Sequence, residues 1–110
     1  MGLLHRCSIA TDFGAAALKN MTLMPELRAP LFQTAGLVSG LVAVLATGTD
    51  AGQECAAAAL QNLASDSTLR AALVESAGVV KMLTALGTTG SAYARKSAAA
   101  TLCMLQFTHV

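Results

Sequence analysis

The residues that most often carry out catalysis are widely separated in this sequence. His5 and His109 lie near opposite ends, and no pair of carboxylates stands beside either of them. Serine, histidine and aspartate never fall together on one predicted helix face, as a hydrolytic triad would require. The glycine-rich stretches lack the lysine of a phosphate-binding loop. We therefore predict that the chain has no catalytic residues and is not an enzyme.

The three cysteines, Cys7, Cys55 and Cys103, do not form a ligand set. Their number is odd, no CxxC spacing is present and no pair of histidines lies nearby. We therefore expect no disulfide framework, no metal site and no cofactor. Small helix residues buried in a reducing compartment are the predicted role of these cysteines.

Composition favours a protein as the partner. The net charge is +1, which provides no electrostatic attraction to nucleic acid. Charged residues make up only 12% of the chain and hydrophobic residues 55%, much of the latter being alanine. A short chain with so few charges is expected to have part of its surface covered by another molecule.

The elements that position these residues become visible when the chain is compared with itself 42 residues later. Residues 15–20 (AAALKN) return as residues 57–62 (AAALQN), and residues 27–29 (LRA) return as residues 69–71. Without a gap, 22 of the 68 pairs at this spacing are identical, whereas chance in so Ala- and Leu-rich a chain gives roughly a tenth. A helical period of about 40–47 residues is typical of stacked α-solenoids.

Each period divides into a short first helix, a second helix and a longer third helix. The predicted helices cover about residues 11–22, 25–34, 37–46, 51–64, 68–76, 79–86 and 92–107. Gly36 and Gly78 are predicted to end the first helices, because glycine adopts a left-handed backbone at little cost. Asp50, Ser67 and Ser91 are the predicted N-caps.

Apolar residues at helical spacing predict the core. On each third helix an alanine and two larger residues, three positions apart, form one stripe: Ala15, Leu18 and Met21; Ala57, Leu60 and Leu63; Ala99, Leu102 and Leu105. The alanine lets neighbouring helices approach closely. The leucines predicted to be buried are Leu18, Leu41, Leu60, Leu63, Leu83, Leu102 and Leu105.

These segments resemble the armadillo repeat, whose unit has three helices and a glycine turn after the first. Residues 75–78 (ESAG) match the turn, residues 40–45 (GLVAVL) match the second helix, and residues 56–64 (AAAALQNLA) match the third. The resemblance covers about residues 15–105. It implies an all-α, armadillo-type α-solenoid of about two and a half repeats. HEAT repeats, with two helices per unit, are the alternative.

In this frame the chain divides into a partial unit (1–34), a complete period (35–76) and a second partial unit (77–110). We expect a piece of a longer array or a very short member of the family. Solenoid ends normally carry polar caps, whereas both ends here are apolar, so we expect self-association through them. The apolar end residues are Leu3, Leu4, Ile9, Phe13, Leu102, Leu105 and Phe107.

The resemblance also implies a protein-binding groove lined by the third helices. A recurrent asparagine of the family hydrogen-bonds the backbone of an extended peptide, since an amide offers both a donor and an acceptor. The matching positions here are Asn20, Asn62 and Met104. We expect Asn62 to contribute to ligand binding rather than to stability; the alternative is that the asparagines cap or hydrate helix ends.

Small residues stand where the family's nuclear-import receptors carry tryptophan. These positions are Ala16, Ala58 and Ala100, and the chain contains no tryptophan. The resemblance therefore implies a smooth, shallow groove rather than a receptor for nuclear-localisation signals.

Two sets of charged residues recur at the 42-residue spacing. Asp12, Glu54 and Lys96 share one repeat position, where they either flank the groove and set its charge preference or form a solvated helix shoulder. Arg28 and Arg70 recur on the first helix, where a surface position or an inter-repeat hydrogen bond is expected.

We predict a protein–protein interaction module that binds a peptide or protein, in the cytoplasm or the nucleus. One alternative is the substrate-recognition segment of a U-box-type ubiquitin ligase, because the small-residue-rich units resemble those of plant-type U-box proteins. Another is a membrane-associated protein, either acylated at Gly2 and Cys7 or inserted through uncharged residues 29–49, which could cross a bilayer. Against insertion, the matching positions one period later include Glu75 and Lys81.

Overall fold

The computed structural model describes residues 12–106, which fold into seven α-helices without a β-strand. The helices are α1 (Asp12–Met21), α2 (Pro25–Gln33), α3 (Leu37–Thr47), α4 (Asp50–Ala64), α5 (Arg70–Glu75), α6 (Val79–Thr89) and α7 (Ala92–Gln106). A 3₁₀ turn, Ser67–Leu69, precedes α5. The predicted all-α class is confirmed, and the helices lie in the predicted order. The outermost predicted helix residues, Thr11 and Phe107, lie outside the described range.

The third helices α1, α4 and α7 lie side by side, with α4 in the middle. The second helices form another layer, in which α3 packs against α4, α6 packs against α7, and α3 contacts α6. The short helices α2 and α5 connect the layers. This arrangement leaves one side of α1, α4 and α7 free of the second helices, and the candidate site lies there.

Small residues make the side-by-side packing of the third helices close. Ala15 on α1, Ala56 and Ala59 on α4, and Ala94 and Ala98 on α7 are completely buried. Because alanine extends only a methyl group from the helix, axes separated by alanines can approach to the short end of the usual 8–10 Å. Such contacts add little apolar area per residue, so the large leucines must supply most of the core.

The leucine core agrees with the sequence at six of seven positions. The buried predicted residues are Leu18, Leu41, Leu60, Leu63, Leu83 and Leu105, whereas Leu102 is only half-buried. Each fully buried leucine contributes roughly 1.5–3 kcal/mol relative to an exposed one.

The predicted stripe fails at three positions, Met21, Leu102 and Ala99. Met21 is 40% exposed, Ala99 is exposed, and Leu102 is half-buried. Ala57 is buried on α4, which has a third helix on each side; Ala99 and Leu102 lie on α7, which has a described third helix on one side only. Met21 ends α1, where the chain turns away.

The expected self-association surface is only partly described. Leu105 is buried within the chain, so it cannot belong to an exposed apolar end as predicted. Leu3, Leu4, Ile9 and Phe107 lie outside the described residues, as does the side chain of Phe13.

The uncharged residues 29–49 extend from the second half of α2 through the whole of α3. Among the described residues, no single helix has the length and hydropathy needed to cross a bilayer. Helices α2 and α3 reach that length and hydropathy only when taken together, and this pair is bent by 90° at the break between them.

Two glycines set the turns between first and second helices. Gly36 and Gly78 have φ values of 80° and 83°, in the left-handed region predicted for them. The turns also share a hydrogen bond at the start of the next helix, from Gly40 N to Gly36 O (2.9 Å) and from Met82 N to Gly78 O (2.8 Å). They differ in one respect, because a Cβ at Gly78 would lie 3.0 Å from Val42 Cγ1, whereas one at Gly36 would meet nothing within 4 Å.

The N-cap of α7 is the predicted residue, whereas the N-cap of α4 lies one residue before the predicted one. Ser91 caps α7 as predicted, accepting a hydrogen bond from Ala94 N (3.2 Å). Asp50 was the wrong residue for α4, because Thr49 has the extended backbone of an N-cap and its hydroxyl accepts from Gly52 N (3.2 Å). Asp50 already belongs to the first helical turn, where its negative charge faces the positive helix end.

Asp66, not Ser67 as predicted, caps the 3₁₀ turn before α5. Its carboxylate accepts hydrogen bonds from the hydroxyl of Thr68 (2.6 Å) and from the Thr68 amide (3.0 Å). These two bonds, the hydroxyl first, hold the pKa of Asp66 below its usual value. Ser67 is instead the first residue of the 3₁₀ turn.

Substituting alanine for each of the two turn glycines tests the left-handed backbone and the close approach to Val42 separately. Gly36→Ala should lower the free energy of unfolding by about 1–2 kcal/mol, the cost of a left-handed backbone at a residue with a Cβ. Gly78→Ala should cost more, because its methyl group must also displace Val42. Urea denaturation measures the difference. In a double-mutant cycle, Val42→Ala and Gly78→Ala should cost less together than their sum; equal losses at both glycines and additive behaviour would contradict the close approach.

Candidate functional site

One continuous groove crosses the free side of α1, α4 and α7, and we name it the third-helix groove. Its first hollow, of about 340 Å³, is lined by Lys19, Asn20, Leu23, Ala58, Gln61, Asn62 and Tyr93. Its second hollow, of about 260 Å³, is lined by Gln61, Tyr93, Lys96, Ser97 and Ala100. Gln61 and Tyr93 border both hollows, so the two are adjacent and form one surface.

Five of the eight site residues predicted from the sequence line this groove. They are Asn20, Ala58 and Asn62 in the first hollow and Lys96 and Ala100 in the second. The 42-residue pattern therefore brings together side chains from three helices on one face.

The other three predicted residues do not line either hollow. Ala16 is half-buried on α1, and Met104 is half-buried against the leucine core, to which its long apolar side chain is suited. Glu54 instead accepts a hydrogen bond from the Ser91 hydroxyl (2.6 Å). This bond joins α4 to the N-cap of α7, so Glu54 has a structural contact.

The amide of Asn62 forms hydrogen bonds within the fold and also lines the groove. Its Nδ2 donates to the carbonyl of Lys19 (3.1 Å) and to the hydroxyl oxygen of Thr22 (3.1 Å), at the C-terminal end of α1. The identity of these acceptors fixes the orientation of the amide, because only the nitrogen can donate. Its Oδ1 accepts no hydrogen bond from the described residues and remains an acceptor on the groove wall.

Thr22 receives this bond in a fully buried position. Its hydroxyl donates to Leu18 O (2.7 Å) and approaches Lys19 O (3.1 Å), so its oxygen faces Asn62 as an acceptor. A buried hydroxyl without a partner would cost about 1–3 kcal/mol. The threonine and the asparagine therefore close the end of α1 against α4.

The recurrent arginines close the ends of two third helices in the same way. Arg28 Nε donates to Thr22 O (2.7 Å), and Arg70 Nε donates to Ala64 O (2.7 Å). The donors and the acceptors are each 42 residues apart. The expected hydrogen-bonding role of these arginines is thus present, joining a third helix to the first helix that follows it.

The electrostatics of the groove come from its two lysines. Lys19 is half-buried and Lys96 is exposed, and no aspartate or glutamate belongs to the lining of either hollow. The chain as a whole has nearly balanced charges, seven basic and six acidic residues. The groove is therefore more positive than the average surface.

Sequence reasoning missed Tyr93, which borders both hollows and is 55% exposed. Its period-mate is Ala51, so the 42-residue pattern gave it no weight. Tyr93 is the only tyrosine of the sequence and lies on a helix rich in alanine, and this contrast could have identified it. Leu23, 60% exposed, was missed because it lies just after α1, outside the repeated stripe.

The cysteines and histidines form no ligand set in the part of the chain that the structure describes. No three His, Cys, Asp or Glu side chains come together between residues 12 and 106. Cys55 is half-buried and Cys103 exposed, so the predicted burial is wrong for Cys103, which lies one turn from Ala99. His5, Cys7 and His109 lie outside the described residues, as does the side chain of Asp12.

The contacts of Asn62 predict that it stabilises the fold, contrary to the sequence expectation. Asn62→Ala should lower the free energy of unfolding by about 1–3 kcal/mol, since it removes two hydrogen bonds at the end of α1. Asn20→Ala is the matched control, because the side chain of Asn20 is exposed and forms no hydrogen bond with the described residues. Thermal unfolding should shift for Asn62→Ala only; an unchanged melting temperature would contradict this role.

No protein-family model, no curated protein and no solved structure matches this chain. The assignment of a function therefore depends on the groove, on the residues that line it and on the contacts that recur along the chain.

Proposed function

We propose that this chain is an armadillo-type α-solenoid segment and that it binds an extended peptide in the third-helix groove. The observation that carries the proposal is the meeting of five residues, chosen from the armadillo resemblance and the repeat spacing, in one groove formed by three helices. A chance selection of helix residues would be expected to scatter over several faces.

Contacts that recur at the repeat spacing support the solenoid part of the proposal. The two glycine turns have nearly equal φ values, and the arginine bonds to the ends of α1 and α4 have equal lengths. Both features link elements that the armadillo unit would place in equivalent positions. Stacked units of this kind present one continuous side of their third helices, which suits an elongated ligand.

The lining suits a peptide backbone with side chains on either side of it. The free Oδ1 of Asn62 can accept from a peptide N–H, and the exposed amide of Asn20 offers both a donor and an acceptor one helix away. Ala58 and Ala100 keep the floor low, so the backbone can come close to the helices. Tyr93 adds a flat amphipathic surface between the hollows, of the kind enriched in binding hot spots.

Selection from a phage-displayed library of random dodecapeptides tests the proposal. Peptides enriched on the full chain should bind with measurable affinity in isothermal titration calorimetry. Tyr93→Ala should weaken that binding at least about fivefold, the effect of losing roughly 1 kcal/mol at a hot spot. Val80→Ala is the control, because Val80 is exposed on α6 and does not line the groove. Failure to enrich any peptide, or equal effects of the two variants, would contradict the proposal.

A further inference from the structure

The charges of the third-helix groove carry information about its ligand beyond peptide binding itself. Lys19 stands in the first hollow and Lys96 in the second, while no carboxylate lines either one. Two carboxylates elsewhere on the third-helix layer and its corner are already engaged, since Glu54 accepts from Ser91 and Asp66 accepts from Thr68. A bound segment would therefore meet two positive charges that no lining side chain neutralises.

The two lysines lie on helices separated by α4. Axes of neighbouring packed helices are about 8–10 Å apart, so α1 and α7 are separated by roughly 16–20 Å across the groove. An extended chain advances about 3.3–3.6 Å per residue. Lys96 also lies seven positions before Cys103, the residue that matches Lys19, which is about 10 Å along the helix axis. The lysines are therefore roughly 19–23 Å apart, and side chains that reach them would be about six residues apart in an extended ligand.

Two large side chains with apolar surface are exposed in the same groove. Tyr93 borders both hollows, and Leu23 lines the first; both side chains are more than half exposed. A ligand that covers large exposed apolar side chains on a concave surface binds more favourably, because it removes apolar area from water. An apolar ligand side chain placed between the two charged contacts would remove this surface from water.

We propose that the groove selects an extended acidic segment, with two carboxylates about six residues apart and an apolar side chain between them. This inference rests on the proposed peptide-binding function and specifies its ligand. Charge complementarity supplies the preference for acid over base, and the separation of Lys19 from Lys96 supplies the spacing. Basic segments are disfavoured, because they would place like charges beside Lys19 and Lys96.

Four blocked heptapeptides test the chemistry and the spacing against the full ¹⁵N-labelled chain. Their sequences are EGSLSGE, its neutral and basic forms QGSLSGQ and KGSLSGK, and EEGSLSG, which has the composition of the first but adjacent acids. Chemical-shift titration measures affinities even when they are weak. EGSLSGE should bind at least about threefold more tightly than each other peptide and should shift the amide signals of Gln61 and Tyr93. Its affinity should fall as salt rises from about 0.05 to 0.5 M.

A pair of lysine variants assigns the preference to the groove. Lys96→Gln should weaken EGSLSGE about two- to fivefold, the usual range for an exposed charge pair, and should leave QGSLSGQ unchanged. Lys81→Gln is the matched control, since Lys81 is an exposed lysine on α6 away from the groove. Equal effects of the two variants on EGSLSGE would overturn the assignment of the charge preference to Lys96.

The outcomes separate this inference from the function on which it rests. If neutral or basic peptides bind the groove as tightly as EGSLSGE, or EEGSLSG binds equally well, the acidic or spaced ligand is wrong while peptide binding stands. If single-stranded (dT)₁₂ binds through Lys96 more tightly than EGSLSGE, the lysines serve nucleic acid and the inference is overturned. If phage selection enriches no peptide and none of the four shifts Gln61 or Tyr93, the function itself fails.

Discussion

The close contact of three helices through small side chains is the constraint on which the rest of this structure depends. Alanines that are completely buried separate α1 from α4 and α4 from α7, so the three third helices form one layer. A larger residue at these positions would push the helices apart and break the continuity of the groove. Because alanine contributes little apolar area, the leucines between this layer and the second helices must hold the two together.

Polar side chains at the helix ends add hydrogen bonds to the close packing that the alanines allow. Asn62 joins the end of α1 to α4 through Lys19 O and Thr22, and the two arginines bind the last carbonyls of α1 and α4. The last carbonyls of a helix have no intrahelical donor, so the two arginines supply donors where the helices end. No buried side-chain nitrogen or oxygen of the described residues lacks a hydrogen-bond partner. The corners are therefore held by specific contacts, and the groove that they border has a fixed wall.

Much of the fold could be predicted because it follows from local chemistry. Helical spacing of leucines placed the helices, and two glycines marked turns that require a left-handed backbone. The failures at Ala99 and Leu102 arise because burial depends on which neighbours are present, whereas a repeat pattern treats every unit alike. The structural contacts of Asn62 could not be foreseen, since they require knowing that the end of α1 lies within 3.1 Å of its amide. Tyr93 was not predicted because alanine stands at the matching position one period earlier, and a periodic pattern identifies only residues that recur.

The most direct test of the central claim compares one substitution at two positions 42 residues apart. Ala57 is completely buried on α4, whereas Ala99 holds the same repeat position on α7 and is exposed. If close packing of small residues holds the third helices together, Ala57→Leu should lower the free energy of unfolding by about 1–3 kcal/mol. Ala99→Leu should change it by less than about 0.5 kcal/mol. Urea denaturation of both variants decides the matter, and an Ala57→Leu variant as stable as Ala99→Leu would contradict the account.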